Sequence, residues 1–421
     1  MTEQLKLKLN DSKATRWGAL VIVAFTMMAA YYVNDVVAPL KTMLETDLAW
    51  SSTDFGFFTG GYSFLNVFFL MLIWGGLILD RFGIRFTGKL ATILMVGGTA
   101  LEYYAMTGLA GADATLFGIN EIFGYKTGVF VAFAGYSIFG VGAEVAGITV
   151  SKIIAKWFKG KELATAMGVQ VALARIGSQA GYAVAIPLAR AFGISTPVLL
   201  GLVLLLGGMI AFFVFAVMDK KLDKQMEAAA IAAGTEDEEE KFSFKDVKNI
   251  LVNPGFWLIA LLCVLFYSCV FPFQKFASEL MIIKYGINEN VAGTFAGLPA
   301  LGALILTPVF GGFIDKRGKS ASIMLLGSAM LICVHFIYAI PDINYWLVAI
   351  VLMIILGIAF SLVPSAMWPA VAKIFPVSQL GTAYALIFFI QNIGLWGIPT
   401  LIGWVLDAYC ISGKKPDGTN M

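Results

Sequence analysis

Apolar stretches of about 20 residues recur along the whole chain, and this feature restricts its fold most strongly. An α-helix needs about 20 residues to cross roughly 30 Å of hydrocarbon. Hydrophobic residues make up 59% of the 421 and charged residues 13%, whereas a soluble domain has about 25% charged residues. Because the stretches are continuously apolar, they favour helices over the alternating strands of a barrel. The sequence predicts an all-α integral membrane protein.

Eleven spans are predicted. They cover 17–39, 55–79, 86–109, 128–150, 163–189, 196–218, 255–283, 291–314, 321–340, 345–369 and 379–407. The polar stretch 219–254, which contains the acidic run TEDEEE, divides the chain into a bundle of six spans (1–218) and a bundle of five (255–421). We interpret 219–254 as a charged linker on the cytoplasmic side, because a run of charges is usually solvated.

Lysine and arginine concentrate in the loops that follow the even-numbered spans. They are Arg81, Arg85, Lys156, Lys159, Lys161, Lys220, Lys221, Lys224, Lys316, Arg317 and Lys319. The loops between them are poor in both residues. By the positive-inside rule, the amino terminus and the basic loops are predicted to be cytoplasmic.

The two bundles repeat one another. GGLILDRFGIR (75–85) ends the second span and GGFIDKRGK (311–319) ends the eighth, with aspartates 235 positions apart. Glycines let helix ends approach closely, and an aspartate can accept a helix dipole or a basic partner. These turns are predicted to act as gating loops. Their residues are Gly76, Asp80, Arg81, Gly83 and Arg85 in the first half, and Gly311, Asp315 and Gly318 in the second.

A second repeat aligns KWFKGKELATAMGVQVALARIG (156–177) with KIFPVSQLGTAYALIFFIQNIG (373–394). Gln391 and Asn392 stand where the first half has Ala174 and Arg175. Two equivalent halves in parallel orientation are typical of transporters, in which the substrate site lies between the halves near the midplane. A site at that interface would meet Arg175 on one side and amides on the other.

The repeated loop motif G-x-x-x-D-R-x-G-x-R resembles the signature loop of the major facilitator superfamily. Within that superfamily the chain is similar to the family of lysosomal dipeptide uniporters and their prokaryotic relatives. The segments that carry this resemblance are WFKGKEL (157–163), ARIGS (174–178), VFPF (270–273), MWP (367–369) and QLGTAYALIFFIQNIGL (379–395). The resemblance implies two six-helix halves, so the twelfth span is missing from the eleven predicted here.

Glu144 and Arg175 are opposite charges within consecutive apolar segments. The midpoint between the two positions falls inside the basic turn KWFKGKE, so straight antiparallel helices would carry both side chains to the same depth. A charge at mid-membrane costs about 2.5–3.5 kcal/mol on insertion scales. The two charges either neutralise each other or bind a substrate of both signs. The resemblance implies the second role, with Arg175 binding a peptide carboxylate and Glu144 the ammonium.

Further polar and aromatic groups lie in apolar segments and are candidates for the substrate site. They are Asp35, Tyr62, Asn66, Tyr267, Trp368, Gln391 and Asn392. Asp35 could assist Glu144, while helix packing is the alternative for Tyr62 and Asn66. Lys275 and Glu279 are four residues apart and are interpreted as a local pair. Glu102 is interpreted as a structural or interfacial acid, and His335, the single histidine, as a packing residue.

No metal-ligand cluster, phosphate loop or nucleophile arrangement is present in the sequence, which predicts no cofactor, no metal and no enzymatic activity. Nothing points to nucleic acid. The expected partners are a small-molecule substrate and the lipid bilayer, with a monomeric protein and no accessory subunit. We predict a prokaryotic inner-membrane transporter of dipeptides that works by uniport. The alternatives are a carboxylate or organic-anion porter, a proton-coupled peptide symporter and a membrane substrate sensor.

Overall fold

A computed structural model describes residues 8–111, 114–233, 244–375 and 377–410. Fourteen α-helices account for most of this part of the chain. They are α1 (Lys13–Val36), α2 (Lys41–Asp47), α3 (Ser52–Phe68), α4 (Met71–Thr107), α5 (Thr127–Trp157), α6 (Leu163–Phe192), α7 (Thr196–Ala233), α8 (Phe244–Val252), α9 (Pro254–Ile283), α10 (Glu289–Ala296), α11 (Leu298–Arg317), α12 (Ser320–Ala339), α13 (Trp346–Ile374) and α14 (Val377–Tyr409). A two-residue hairpin, β1 (Glu121–Ile122) with β2 (Tyr125–Lys126), precedes α5.

All eleven predicted spans are mainly helical, which confirms the all-α membrane fold, but 55–79 crosses the break between α3 and α4 and 291–314 the break between α10 and α11. Within the described residues, eight helical segments are long and apolar enough to cross a membrane, or nine if the bent pair α3 and α4 is one span. Helix α6 is not among them, because polar residues such as Arg175 and Gln179 interrupt its apolar sequence. The predicted linker is partly helical, since α7 continues to Ala233 and α8 begins at Phe244. Its acidic run (235–240) and the chain end after 410 lie outside the described residues.

The signature turns contain a glycine with a positive φ in both halves. Gly83 interrupts α4 with a φ of 73°, and Gly318 follows α11 with a φ of 69°. A positive φ is readily adopted by glycine and costs other residues about 1–2 kcal/mol. The two glycines are 235 positions apart in the sequence, so the structure reproduces the repeat that the aspartates indicated.

Two hydrophobic cores correspond to the two halves. One is built mainly from residues of α1 and α3 to α7, and the other mainly from α9 to α13. The halves meet where α3 packs on α14 and where α6 packs on α10 and α11. We call the end of the bundle with the basic turns (after α5, after α7 and at the two signature glycines) the basic face, and the other end the opposite face.

The contact between α3 and α14 is unusually close near the opposite face. A Cβ atom added to Gly56 would lie 2.4 Å from the carbonyl oxygen of Pro399, and one added to Gly403 would lie 2.2 Å from that of Ser52. Small residues allow such close backbone packing between membrane helices. The halves are therefore tightly joined at this end.

Candidate functional site

Arg175 and Glu144 lie at nearly the same depth, as the sequence predicts. Glu144 is 13 residues before the end of α5 and Arg175 is 12 residues after the start of α6. At about 1.5 Å per residue, these separations correspond to about 20 Å and about 18 Å from the connecting turn. Both side chains are thus near the middle of the bundle, where transporters of this architecture bind substrates.

The guanidinium of Arg175 lies between aromatic rings from the two halves. Its central carbon is 5.0 Å from the ring centre of Phe360 on α13 and 5.6 Å from that of Tyr31 on α1. Both distances are typical of cation–π contacts. Among the ion pairs of the described residues, none joins Arg175 to Glu144. The interpretation of a permanent Glu144–Arg175 salt bridge is therefore wrong for this conformation.

Glu144 has a single polar partner in the described structure. The Tyr62 hydroxyl donates a hydrogen bond to its Oε1 over 3.0 Å. Tyr31 is close enough to interact electrostatically with Glu144, Arg175 and Asp35. The arrangement is a central region with one carboxylate and one guanidinium, and among the described residues neither has an opposite charge within ion-pair distance.

The glycines near Glu144 serve different purposes. Gly140, Gly142 and Gly147 lie near Glu144 on α5, and a glycine leaves room for either a ligand or a neighbouring helix. A Cβ atom on Gly140 would lie 2.1 Å from the carbonyl oxygen of Tyr62, so this glycine admits a neighbouring helix, and Gly142 does the same for α4. At Gly147 the nearest atom is the Met27 methyl carbon at 4.0 Å. Space beside Glu144 is therefore confined to one side of α5.

Asn66 lies one turn after Tyr62 on α3. Its side chain is 1% exposed and neither of its polar atoms has a hydrogen-bond partner in the described structure. Tyr62 contacts Glu144, whereas Asn66 one turn later is buried in α3 packing. Tyr62 therefore contacts Glu144 directly, while helix packing stays the alternative to a site role for Asn66.

The second half presents aromatic rings rather than amides to Arg175. The Trp368 indole N–H donates to the Tyr267 hydroxyl over 3.2 Å, and the ring of Phe360 meets the Tyr267 ring edge-on at 6.3 Å. Tyr384 supports this group by donating its hydroxyl to the Trp368 carbonyl oxygen. Tyr267 and Trp368 are thus joined to each other and, through the Tyr267 ring, to the Phe360 ring that lies against Arg175.

The amides are directed elsewhere, which corrects the expectation from the repeat. Gln391 Oε1 accepts a hydrogen bond from the Cys263 thiol at 3.3 Å, within the second half. Asn392 is 1% exposed and donates to the carbonyl oxygen of Phe388 on its own helix. The ring of Phe360 on α13, rather than an amide of α14, therefore lies against Arg175.

Lys275 and Glu279 do not form the local pair that the sequence suggested. Lys275 Nζ is 3.1 Å from Asp35 Oδ1, and Glu279 pairs with Lys41, which is 1% exposed. Lys275 and Glu279 of α9 therefore each pair with an opposite charge on the first half. The prediction of a local pair is wrong because both side chains face the interface between the halves and pair across it.

Further polar contacts close the opposite face. Asp407 at the end of α14 accepts hydrogen bonds from the backbone N–H groups of Ser52 and Thr53, at 3.1 and 2.6 Å. These N–H groups begin α3, where a helix leaves its first donors unpaired and favours a negative charge. Arg190 of α6 pairs with Glu289 of α10. At the opposite face, residues of the second half thus cap a helix of the first half and form ion pairs with that half.

The gating-loop residues at the basic face have partners within the first half. Asp80 accepts from Lys152 over 3.0 Å, and Arg85 is 2.7 Å from Asp223. Arg81 lies over the ring of Phe82. The close helix approach expected at the motif glycines occurs at Gly75, where a Cβ would lie 2.5 Å from Val145, whereas a Cβ on Gly76 or Gly311 would have no described atom within 4 Å. The Asp315 side chain lies outside what the structure describes.

Comparison with known proteins assigns the fold. The model of the Major Facilitator Superfamily matches residues 20–397. The chain therefore belongs to the major facilitator superfamily, and it is a multi-pass membrane transporter of small molecules rather than an enzyme. The recognition of this superfamily from the repeated loop is confirmed.

Its relatives include lysosomal dipeptide transporters. The chain is 29% identical over 409 residues to the lysosomal dipeptide transporter MFSD1 of Homo sapiens, covering 94% of this chain and 81% of that protein. It is 33% identical over 286 residues to MFSD1 of Gallus gallus, covering 65% of this chain and 62% of that protein.

Solved structures share the fold at low sequence identity. A crystal structure of the nucleoside transporter NupG matches with a TM-score of 0.68 and 13% identity, covering 95% of this chain and 93% of that one. A bacterial homologue of the human lysosomal transporter Spinster matches with a TM-score of 0.66 and 16% identity, covering 94% and 84%.

Several residues of the site were not identified from the sequence. Phe360 is one of many aromatic residues in apolar helices and gives no local signal. Tyr136 and Lys41 likewise became significant only through contacts between distant segments. Lys275 was named from the sequence but assigned to Glu279, although a charge within an apolar helix points to a function by the same argument that singled out Arg175.

Proposed function

We propose that this transporter carries dipeptides by uniport, with Arg175 binding the substrate carboxylate and Glu144 its ammonium. The observation that supports this most directly is the pair of opposite charges at one depth that lack each other as partners. An unpaired charge in a membrane interior is costly. A zwitterionic substrate of matching length would compensate both charges together.

The chemistry of each group suits its proposed role. A guanidinium can hold a carboxylate through two parallel hydrogen bonds, and a carboxylate can accept N–H bonds from an ammonium. Tyr62 holds the Glu144 carboxylate in place. Tyr31 and Phe360 lie within cation–π distance of the Arg175 guanidinium, whose N–H groups would remain to bind the ligand carboxylate.

Dipeptides are favoured over other zwitterions because relatives that align with 94% of this chain are named dipeptide transporters. A carboxylate or organic-anion porter would need Arg175 alone, with Glu144 as a distant counter-ion. The aromatic wall of Tyr267, Trp368 and Phe360 would face the substrate side chains. It carries no net charge, which suits a range of side chains.

Proton-coupled symport is the second candidate, and Glu102 is the observation that favours it. Glu102 is fully buried where α4 packs on α5, and neither carboxyl oxygen has a hydrogen-bond partner in the described structure. Of the two interpretations given to Glu102, structural or interfacial acid, its burial excludes the interfacial one. A carboxyl in this setting is a candidate proton carrier.

We place the protein in a prokaryotic inner membrane with its basic face toward the cytoplasm, in accordance with the positive-inside rule. The structure would then represent a state closed to the outside, since the polar contacts between halves lie at the opposite face. We further propose that the monomer transports without an accessory subunit.

Binding and flux experiments test the proposal. Purified protein should be stabilised against thermal unfolding by dipeptides more than by single amino acids or dicarboxylates. Proteoliposomes should take up a labelled dipeptide, and an unlabelled dipeptide should compete. Stabilisation by dicarboxylates alone would establish the organic-anion porter instead. Binding without flux would indicate a substrate sensor.

A further inference from the structure

The ammonium of Lys275 lies in a cage of oxygen atoms that belong to the other half of the protein. Its Nζ donates to the Asn34 carbonyl oxygen, to Asp35 Oδ1 at 3.1 Å and to the Tyr136 hydroxyl at 3.3 Å. Three acceptors satisfy the three N–H donors of an ammonium. Lys275 and Asp35 are 9% and 8% exposed, so these contacts form largely away from solvent.

The cage is held together without Lys275. Ser178 of α6 donates to Asp35 Oδ2 over 2.6 Å, and the Asn34 amide donates to Oδ1 over 2.8 Å. The Tyr136 hydroxyl of α5 donates to the Asn34 carbonyl oxygen over 2.8 Å. All four residues belong to α1, α5 and α6 of the first half. The acceptors should therefore keep their positions when the halves separate.

Lys275 belongs to α9 and must move with the second half. In transporters with two repeats, access alternates when the halves rock against each other around a central site. Opening the opposite face would withdraw Lys275 from the cage. Asp35 would then be left in the protein interior without its cation, and removing one partner of a buried ion pair is strongly destabilising.

The neighbouring pair behaves differently, and this contrast supports a special role for the cage. Lys41 of the first half pairs with Glu279 of the second, but it is also 2.6 Å from Glu45 and bonded to Ser52 within its own half. Lys41 therefore keeps a counter-charge when Glu279 departs. Among the described ion pairs, Asp35 has Lys275 as its only cation. When the opposite face opens, Lys41 therefore keeps Glu45 as its counter-charge, whereas Asp35 loses its cation.

We infer that the cage of Asn34, Asp35 and Tyr136 is a second ammonium site, occupied in turn by the Lys275 side chain and by the ammonium of an incoming substrate. Lys275 acts as a tethered competitor that refills the cage when the opposite face closes. Tyr136 is eight residues from Glu144 on α5, about 12 Å along the helix. The displaced ammonium then moves inward to Glu144, a step that rests on the proposed function.

Lys275→Gln tests this exchange, because it removes the competitor and leaves the acceptors intact. The affinities for alanyl-alanine and for N-acetyl-alanyl-alanine are measured on purified full-length protein in nanodiscs. The variant should bind the free dipeptide at least fivefold more tightly than wild type, with little change for the acetylated one. Glu279→Gln is the matched control, since it weakens the closure of the opposite face without emptying the cage. It should change both affinities by the same factor.

Adding Asp35→Asn to Lys275→Gln should remove the gain and weaken free-dipeptide binding below that of wild type, because the cage no longer attracts a cation. Equal changes for both peptides in Lys275→Gln, or no gain at all, would show that the Lys275–Asp35 pair is only structural. If Lys275→Gln does not fold, the double variant carries the test. Its KM for free dipeptide should rise at least fivefold, and an unchanged KM overturns the exchange.

A third probe separates this inference from the proposed function. If wild type binds no dipeptide, the dipeptide assignment fails by itself. The cage can then be tested with n-butylammonium, which carries the same cation without a carboxylate. Lys275→Gln should bind it more tightly than wild type does, and equal affinities would overturn the cage as an ammonium site.

Discussion

Tyr62 donates its hydroxyl to Oε1 of Glu144 over 3.0 Å and thereby joins α3 to α5 at the centre of the bundle. The bond leaves the second carboxylate oxygen of Glu144 without a hydrogen bond from the described residues. Arg175, at the same depth, contacts aromatic rings and no carboxylate of the described part of the chain. The centre of the protein therefore holds two charges that are positioned but not neutralised.

Replacement of Arg175 tests whether its geometry binds the substrate carboxylate. Arg175→Lys keeps the charge but loses the two parallel hydrogen bonds. We expect dipeptide affinity to fall about tenfold or more, since a hydrogen bond to a charged group contributes about 1.5–3 kcal/mol. Isothermal titration of monodisperse protein measures the change. Wild-type affinity in Arg175→Lys would mean that the guanidinium does not contact the ligand.

Replacement of Glu144 tests its role toward the ammonium. Glu144→Gln removes the charge with little change in shape and keeps an acceptor for the Tyr62 hydroxyl. We expect binding of a free dipeptide to weaken far more than binding of its N-acetylated form, because the acetylated peptide has no cation to lose. Competition assays with both peptides give the comparison. Equal losses would point to a structural or proton-coupling role.

The close packing of α3 on α14 makes Gly56 a sensitive position. Gly56→Ala places a Cβ 2.4 Å from the Pro399 carbonyl oxygen, and overpacking of this kind costs about 1–3 kcal/mol. We expect a lower thermal midpoint and a population shifted toward opening of the opposite face. A cysteine introduced at Thr53 and labelled from that side would report the opening.

Gly18→Ala is the control for this helix substitution. No described atom lies within 4 Å of a Cβ at Gly18, so alanine should be neutral or stabilise α1 by roughly 0.5–1 kcal/mol. A thermal midpoint for Gly56→Ala as high as that of Gly18→Ala would show that the α3–α14 contact is loose.

Energy coupling is tested in proteoliposomes with an imposed proton gradient. We expect net dipeptide movement to stop at the equilibrium ratio, as for a uniporter. His335 is poorly placed as a relay, because its ring nitrogens already contact the carbonyl oxygens of Leu331 and Cys269. Accumulation that collapses with a protonophore would favour the symport alternative. Glu102→Gln would then show whether Glu102 is the proton carrier.

Much of the fold could be predicted because its signals are local. Apolar length defines a span without reference to other segments. The motif glycines at 83 and 318 predicted equivalent turns, and both have a positive φ. The depth of Glu144 and Arg175 followed from counting residues along two helices joined by a short turn.

The partners of the charged residues could not be predicted in this way. Lys275 was assigned to Glu279 because they are four residues apart, yet its contacts lie 240 positions away at Asp35. Which side chains face each other across the two halves depends on helix rotation and tilt, which apolar composition does not determine. For the same reason the aromatic ring of Phe360, rather than Asn392, lies opposite Arg175.

The two inter-half pairs also have an electrical consequence. Lys275 and Glu279 contribute opposite charges to α9 one turn apart, and both leave the first half together when the opposite face opens. Moving one elementary charge through the full membrane potential changes the energy by about 2.3 kcal/mol per 100 mV. Since α9 carries a cation and an anion side by side, the work done on one nearly cancels that done on the other. Reorientation of the empty carrier should therefore depend little on voltage, and any voltage sensitivity of transport would originate with the charge of the substrate.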